Sequence, residues 1–280
     1  VNVLVLEHGG TLIALALGAQ WQYVCSMLAY TEYGTPVANV PPLVIAHGLY
    51  GSGRNWGVIA KRLSDKRHVI TPDMRNHGTS PQSPTHSYPD QANDLAELIH
   101  DIGAPVDLCG HSMGGKAAMT LALTHPGLLR KLVVADIAPV AYGHTQAMFI
   151  DAMRSVDMSR VTRRSDAEAQ LADAGVERAL QSFFTQSLDV PEKRWRLNLD
   201  VLEAEMDKII GWPEDIAGQF DGPVLFLSGG ASDYVQVAHR DRIKSFFPVA
   251  RFAKLPGAGH WLHAEKPREF EATLRTFLDA

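Results

Sequence analysis

The sequence predicts an α/β fold: a mostly parallel central sheet flanked by helices, with a helical cap inserted in the second half of the chain. Three observations predict it. Short apolar runs alternate with helix-like stretches from about residue 28 onward, the runs are apolar throughout rather than at every second residue, and one long segment shows helical spacing without a strong strand. Alternation of strand and helix implies right-handed crossovers and parallel pairing. Strands covered on both faces should be continuously apolar, as these runs are.

Taken in chain order, the expected strands are residues 43–46, 68–71, 106–109, 132–135, 224–227 and 250–253. They are short, rich in β-branched residues and bounded by Gly, Pro or Asp. Residues 91–100 and 116–124 are the expected helices between them. From 142 to 212 the pattern changes, and 147–156, 166–174, 176–185 and 199–210 each repeat apolar residues at three- and four-residue spacing. Ordinary crossover helices are the plain alternative for this stretch, but most such connections are far shorter. The expected organisation is therefore an N-terminal extension over 1–27, an α/β core over 28–141 and 213–280, and a cap over 142–212.

Composition narrows the function. The chain has 280 residues, 46% hydrophobic and 20% charged, enough apolar content for a sizeable core. Its net charge of −5 argues against non-specific binding to nucleic acid. Two cysteines, Cys25 and Cys109, are too few for a disulfide framework and fit a reducing cytoplasm. The run 11–19 has the look of a short signal-peptide core, but no Lys or Arg precedes it and it is too short to span a membrane. The expectation is a cytoplasmic protein without stable membrane insertion, with Met27 a natural start for the domain proper.

The chemistry is concentrated at Gly110-His111-Ser112-Met113-Gly114, which fits the G-x-S-x-G nucleophile elbow between a strand and a helix. The turn needs glycines because bulkier residues would crowd it, and it lifts the serine oxygen above the sheet. His47-Gly48-Leu49-Tyr50 follows the 43–46 strand, where such folds build half of an oxyanion hole. Leu49 and Met113 are the expected backbone N–H donors. Near the C-terminus, His260 lies in Gly257-Ala258-Gly259-His260-Trp261, after the last strand, where the general base belongs in chain order. His111, beside the nucleophile, should point its side chain away from it, and His263 falls where a short helix should begin. Two carboxylates lie between Ser112 and His260 at the ends of expected parallel strands, Asp136 and Asp233, and chain order does not choose between them.

Together with Asp73-Met74-Arg75-Asn76-His77-Gly78-Thr79-Ser80, Asp136-Ile137-Ala138-Pro139 and 259–267, these motifs resemble the α/β-hydrolase superfamily. The chain is similar to small bacterial esterases of the YbfF type over about residues 28–279. The resemblance implies an acid after the earlier strand, at Asp136, with Ser232 where the acid more usually stands. Asp233 beside it departs from that pattern.

The implied mechanism is acyl transfer through Ser112, with His260 as base, Asp136 orienting it, and the amides of Leu49 and Met113 holding the oxyanion. A small-molecule ester is the expected substrate. The apolar cap residues Phe149, Phe183, Phe184 and Trp195 are candidates for an acyl pocket and equally for cap core. No cofactor or metal is expected, since no dinucleotide fingerprint, Walker A motif or zinc spacing occurs. The rivals are a thioesterase or C–C bond hydrolase on the same fold, and a non-enzymatic binding protein that uses the cap as a pocket.

Overall fold

The computed structural model describes residues 28–103 and 105–280, together with the backbone of Leu4–His8 and Thr11–Leu15. Seven strands form the main sheet: β1 Tyr30–Tyr33, β2 Leu43–Ala46, β3 Val69–Pro72, β4 Val106–His111, β5 Leu129–Ala135, β6 Val224–Gly229 and β7 Arg251–Leu255. Their spatial order is β7-β6-β5-β4-β2-β3-β1. All neighbours run parallel except β1, which pairs antiparallel with β3 at the edge. The order reverses between β4 and β2, so the crevice above their carboxyl ends is the natural place for a ligand.

All six expected strands are present, with bounds shifted by a few residues. Strands β2, β3 and β4 are buried at every position, because both sheet faces are covered. Alternate residues of β2 enter different cores. Leu43 and Ile45 pack with Trp56, Leu63, Phe270 and Leu274, whereas Val44 and Ala46 pack with Leu95, Met119 and the apolar residues of the cap. Helices α1 Gly57–Leu63 and α11 Pro267–Asp279 supply the first face, and α2 Tyr88–Ile102, α3 Met113–Thr124 and α9 Arg240–Phe246 the second. Helix α2 is delimited by its own sequence. Ser87 accepts from the Asp90 N–H at its start, and Gly103 takes a left-handed φ of 82° at its end.

Between β5 and β6 lies the helical cap: α4 Ala147–Arg154, α5 Arg164–Asp173, α6 Arg178–Thr185, α7 Leu199–Ala204 and α8 Met206–Ile210. Two details correct the sequence reading. The expected helix 199–210 is broken at Glu205, and the insertion is not wholly helical, since Leu188–Asp189 pairs antiparallel with Arg194–Trp195. At the N-terminus Leu4–His8 pairs antiparallel with Thr11–Leu15. The rest of the apolar run, 16–19, and the expected start at Met27 lie outside the described residues. Among the described residues no helix is long and apolar enough to cross a membrane. Cys109 is a buried free thiol, and burial pushes its pKa up to about 12.

At the opposite end of the sheet from the crevice, Asp107 on β4 is fully buried. It receives Arg67 at 3.0 Å and Arg130 Nε at 2.8 Å, and Arg67 continues to Asp279 at the end of α11. Removing one partner of a buried ionic set leaves the others desolvated and unpaired. Asp107→Ala is therefore expected to reduce the unfolding free energy by about 3–5 kcal/mol, read as a lower urea midpoint at unchanged slope.

Candidate active site

Strand β4 runs into Ser112, whose backbone sits at φ 52°, ψ −119°, and helix α3 begins at the next residue. A non-glycine residue at positive φ is strained. The turn survives because its neighbours leave no room for anything else. A Cβ built on Gly114 would lie 2.5 Å from the carbonyl oxygens of Ala46 and His47, and one on Gly110 would lie 2.3 Å from Gly114 O. The Ser112 N–H donates to Ala135 O at 3.0 Å, tying the elbow to β5. The Ser112 hydroxyl takes no hydrogen-bond partner among the described residues. Contacts between a nucleophile and its base often form only with substrate in place.

His260 follows β7 in the loop before α10 Leu262–Glu265, and its Nδ1 lies 2.8 Å from Asp136 Oδ2. A carboxylate only accepts, so the imidazole proton sits on Nδ1 and leaves Nε2 as the acceptor. Asp136 directly follows β5, is fully buried, and also stands at positive φ, 52°. Its Oδ1 accepts from the Gly229 N–H at 3.0 Å, and its Oδ2 also accepts from the Ser232 hydroxyl. Asp233 is exposed; Gln236 meets only its backbone carbonyl, at 3.1 Å. Tyr234 stacks on the His260 ring at 4.0 Å between centroids.

The backbone N–H of Leu49, after β2, and that of Met113, at the start of α3, have no acceptor among the described residues. Both residues border the cavity that Ser112 and His260 line. First-turn amides of a helix are free by construction and carry its positive end. The pair is thus suited to hold a developing negative oxygen.

His111 is buried beside Ser112 and is not idle. Its Nε2–H donates to His260 O at 2.9 Å and so holds the backbone of the histidine loop. Burial, and the rings of His260 and His263 beside it, push its pKa well below the usual value. His263 lies in the first turn of α10, one residue past its start, stacks on Trp56 at 4.1 Å, and burial lowers it to about 3. Neither supporting role has a sequence signature, since twelve histidines look alike until the loops come together.

The cavity over Ser112 measures about 270 Å³. Leu180, Phe183, Phe184, Phe149, Ile209 and Ile210 of the cap form much of its wall. Trp195 does not reach it and instead donates its Nε1–H to Met153 O within the cap, at 2.8 Å. Lys116 also borders the cavity, with Nζ donating to Ile210 O at 2.8 Å and to Gly211 O. Burial lowers its pKa to about 7. Among the described residues no group of three or more His, Cys, Asp and Glu side chains is arranged to hold a metal ion.

A protein-family model described as the alpha/beta hydrolase family matches residues 43–273. The chain belongs to the α/β-hydrolase family and is an enzyme of the hydrolase class. Within that family it is similar to esterase YbfF of Escherichia coli (strain K12), 38% identical over 246 residues that cover 86% of this chain and 94% of that one. It is likewise similar to the sn-1-specific diacylglycerol lipase ABHD11 of Mus musculus, 41% identical over 252 residues covering 86% and 82%. A solved structure titled marine microorganism esterase superposes with a TM-score of 0.84 at 38% identity, over 90% of this chain and 99% of that one.

Because Gly114 packs directly against the backbone of β2 and its loop, Gly114→Ala should force those backbones apart. We expect a loss of about 1–3 kcal/mol in stability, measured by urea unfolding, with turnover of any substrate falling alongside it.

Proposed function

We propose that the chain is a serine carboxylesterase acting on short- to medium-chain acyl esters through an acyl-enzyme. The observation that carries this reading is the 2.8 Å contact of His260 with buried Asp136, in a cavity that Ser112 also lines. His260 Nε2 takes the proton of Ser112 as the hydroxyl oxygen attacks the ester carbonyl. The amides of Leu49 and Met113 hold the tetrahedral oxyanion. His260 then protonates the leaving alcohol, and a water molecule repeats the sequence to free the acid. Asp136 keeps the proton on Nδ1 and stabilises the transient imidazolium. Ser232 and the Gly229 amide hold that carboxylate. Asp233, exposed and without a side-chain partner among the described residues, has no part in this scheme. The names of the relatives, esterase and lipase, support ester hydrolysis as the reaction.

Residues 142–212 act as the cap over this cavity. Its aromatic and aliphatic wall favours an apolar acyl group, because polar groups buried there would lack partners. Rates across p-nitrophenyl esters of increasing acyl length test the substrate range, and a maximum beyond medium chains would overturn it.

Ser112→Ala is expected to remove about a million-fold of the turnover while leaving the fold intact, since the nucleophile is lost but the oxyanion amides remain. A variant with a tenth of the parent rate would refute the assignment. Asp136→Asn should lower turnover by up to ~10⁴-fold, because the amide favours the wrong imidazole tautomer. Asp233→Asn should stay near the parent rate, and the reverse ranking in steady-state kinetics would transfer the role to Asp233.

A further inference from the structure

Two buried histidines flank the loop that carries the Leu49 amide. His47 precedes it in sequence; His77 reaches it from the loop after β3. His47 Nδ1 donates to Gly48 O at 2.8 Å, and its Nε2 accepts the Met74 N–H at 2.9 Å. His77 Nδ1 donates to Arg75 O at 2.8 Å, and its Nε2 accepts the Tyr50 N–H at 3.1 Å. Their rings meet edge to face with centroids 5.1 Å apart. Gly48 O also accepts from Gly51 N, at 3.1 Å.

The geometry of a peptide explains why this matters. Gly48 C=O and Leu49 N–H are opposite ends of one rigid trans plane, so fixing the oxygen sets the direction of the amide. Leu49 C=O and Tyr50 N–H form the next plane, fixed by His77. Tyr50 stands at φ 64°, a strained value for a tyrosine that persists only if its surroundings impose it. Each plane beside Leu49 is therefore held by one imidazole.

From this geometry we propose that His47 and His77 are positioning residues that together aim the Leu49 N–H at the substrate oxyanion, each as a neutral Nδ1–H imidazole. The inference rests on the oxyanion role given above to Leu49. Each Nε2 faces a backbone N–H, so a proton there would set two donors against each other and release the loop. The surroundings keep that proton away. Burial lowers His77 to about 3, with His47 next in effect, and burial likewise lowers His47. The other titratable and charged groups facing His77 are Asp73 and Arg75 on its own loop and His86 at 5.4 Å. Asp189, Arg194 and Arg196 of the cap share a polar cavity with it. His86 is the opposite tautomer: its Nδ1 accepts from Asn76, and its Nε2–H lies 3.2 Å from the Met113 side-chain sulfur.

The test uses the full chain, p-nitrophenyl butyrate as substrate and a trifluoromethyl ketone of matching acyl length as the tetrahedral mimic. His77→Leu fills the space but cannot accept from Tyr50, whereas His77→Gln can. His77→Leu is expected to lower kcat by about 10²-fold with KM within about threefold, and to weaken ketone inhibition by about the same factor. His77→Gln should recover most of both losses. An unchanged kcat in His77→Leu, or a Gln variant no better than Leu, would overturn the proposal. A second measurement does not depend on the variants folding or on turnover. Imidazole ¹⁵N spectra of the parent chain at neutral pH should show His47 and His77 as Nδ1–H tautomers, and an Nε2–H form or an imidazolium at either would overturn it. If the parent chain cleaves no ester, or cleaves it without Ser112, the esterase reading fails on its own, while the spectra still judge the brace.

Discussion

The architecture of the crevice depends on a close approach of backbones. The first turn of α3 lies against the carbonyls of Ala46 and His47 with no space for a side chain between them, and the same turn crosses Gly110. That contact forces Ser112 to positive φ, sends α3 off at the angle that buries its apolar residues against the sheet, and fixes how near the loop after β2 comes to the serine. Helix packing, the exposure of Ser112 and loop position are consequences of one steric constraint. None can shift without the others.

Around this point the protein keeps many polar groups dry by pairing them with assigned partners. The Asp136 carboxylate is fully buried and is surrounded by donors from two segments: Gly229 and Ser232 at and just past the end of β6, and His260 after β7. His47, His77, His86 and His111 each hold a ring nitrogen against a defined acceptor or donor, and burial lowers all four pKa values. An imidazole that stays neutral is a useful brace, since it offers one donor and one acceptor in a rigid plane. The crevice is lined by such braces, and His260, less buried and set against a carboxylate, differs from them in both respects.

Much of this was legible in the sequence, and what was not has identifiable causes. Strands covered on both faces wrote themselves as apolar runs, and Gly110, Ser112 and Gly114 marked the elbow by spacing. Strand β1 left no such mark, because Tyr30, Thr31 and Glu32 lie exposed at the sheet edge. The short ladder at Leu188–Asp189 was too brief for any periodicity, and the break at Glu205 interrupts a pattern that stays apolar on both sides. Which of Asp136 and Asp233 faces His260 depends on strand adjacency, which chain order does not encode. Trp195 belonged by composition with the cavity aromatics, yet its indole faces the interior of the cap.

Both connections of the cap to the core converge on one knot. Tyr142, where the chain leaves the core, donates its N–H to Ile210 O, where the chain returns, at 3.0 Å. Lys116 of α3 caps the carbonyls of Ile210 and Gly211, and Tyr88 of α2 donates to Ile209 O. A lid swinging about its two connections would have to break every one of these bonds and strip a buried ammonium of its acceptors. The mechanics therefore differ from those of a hinge. The stalk of the cap is clamped to the helix that follows Ser112, whereas α4 and α6, which border the cavity through Phe149, Leu180, Phe183 and Phe184, carry none of these bonds.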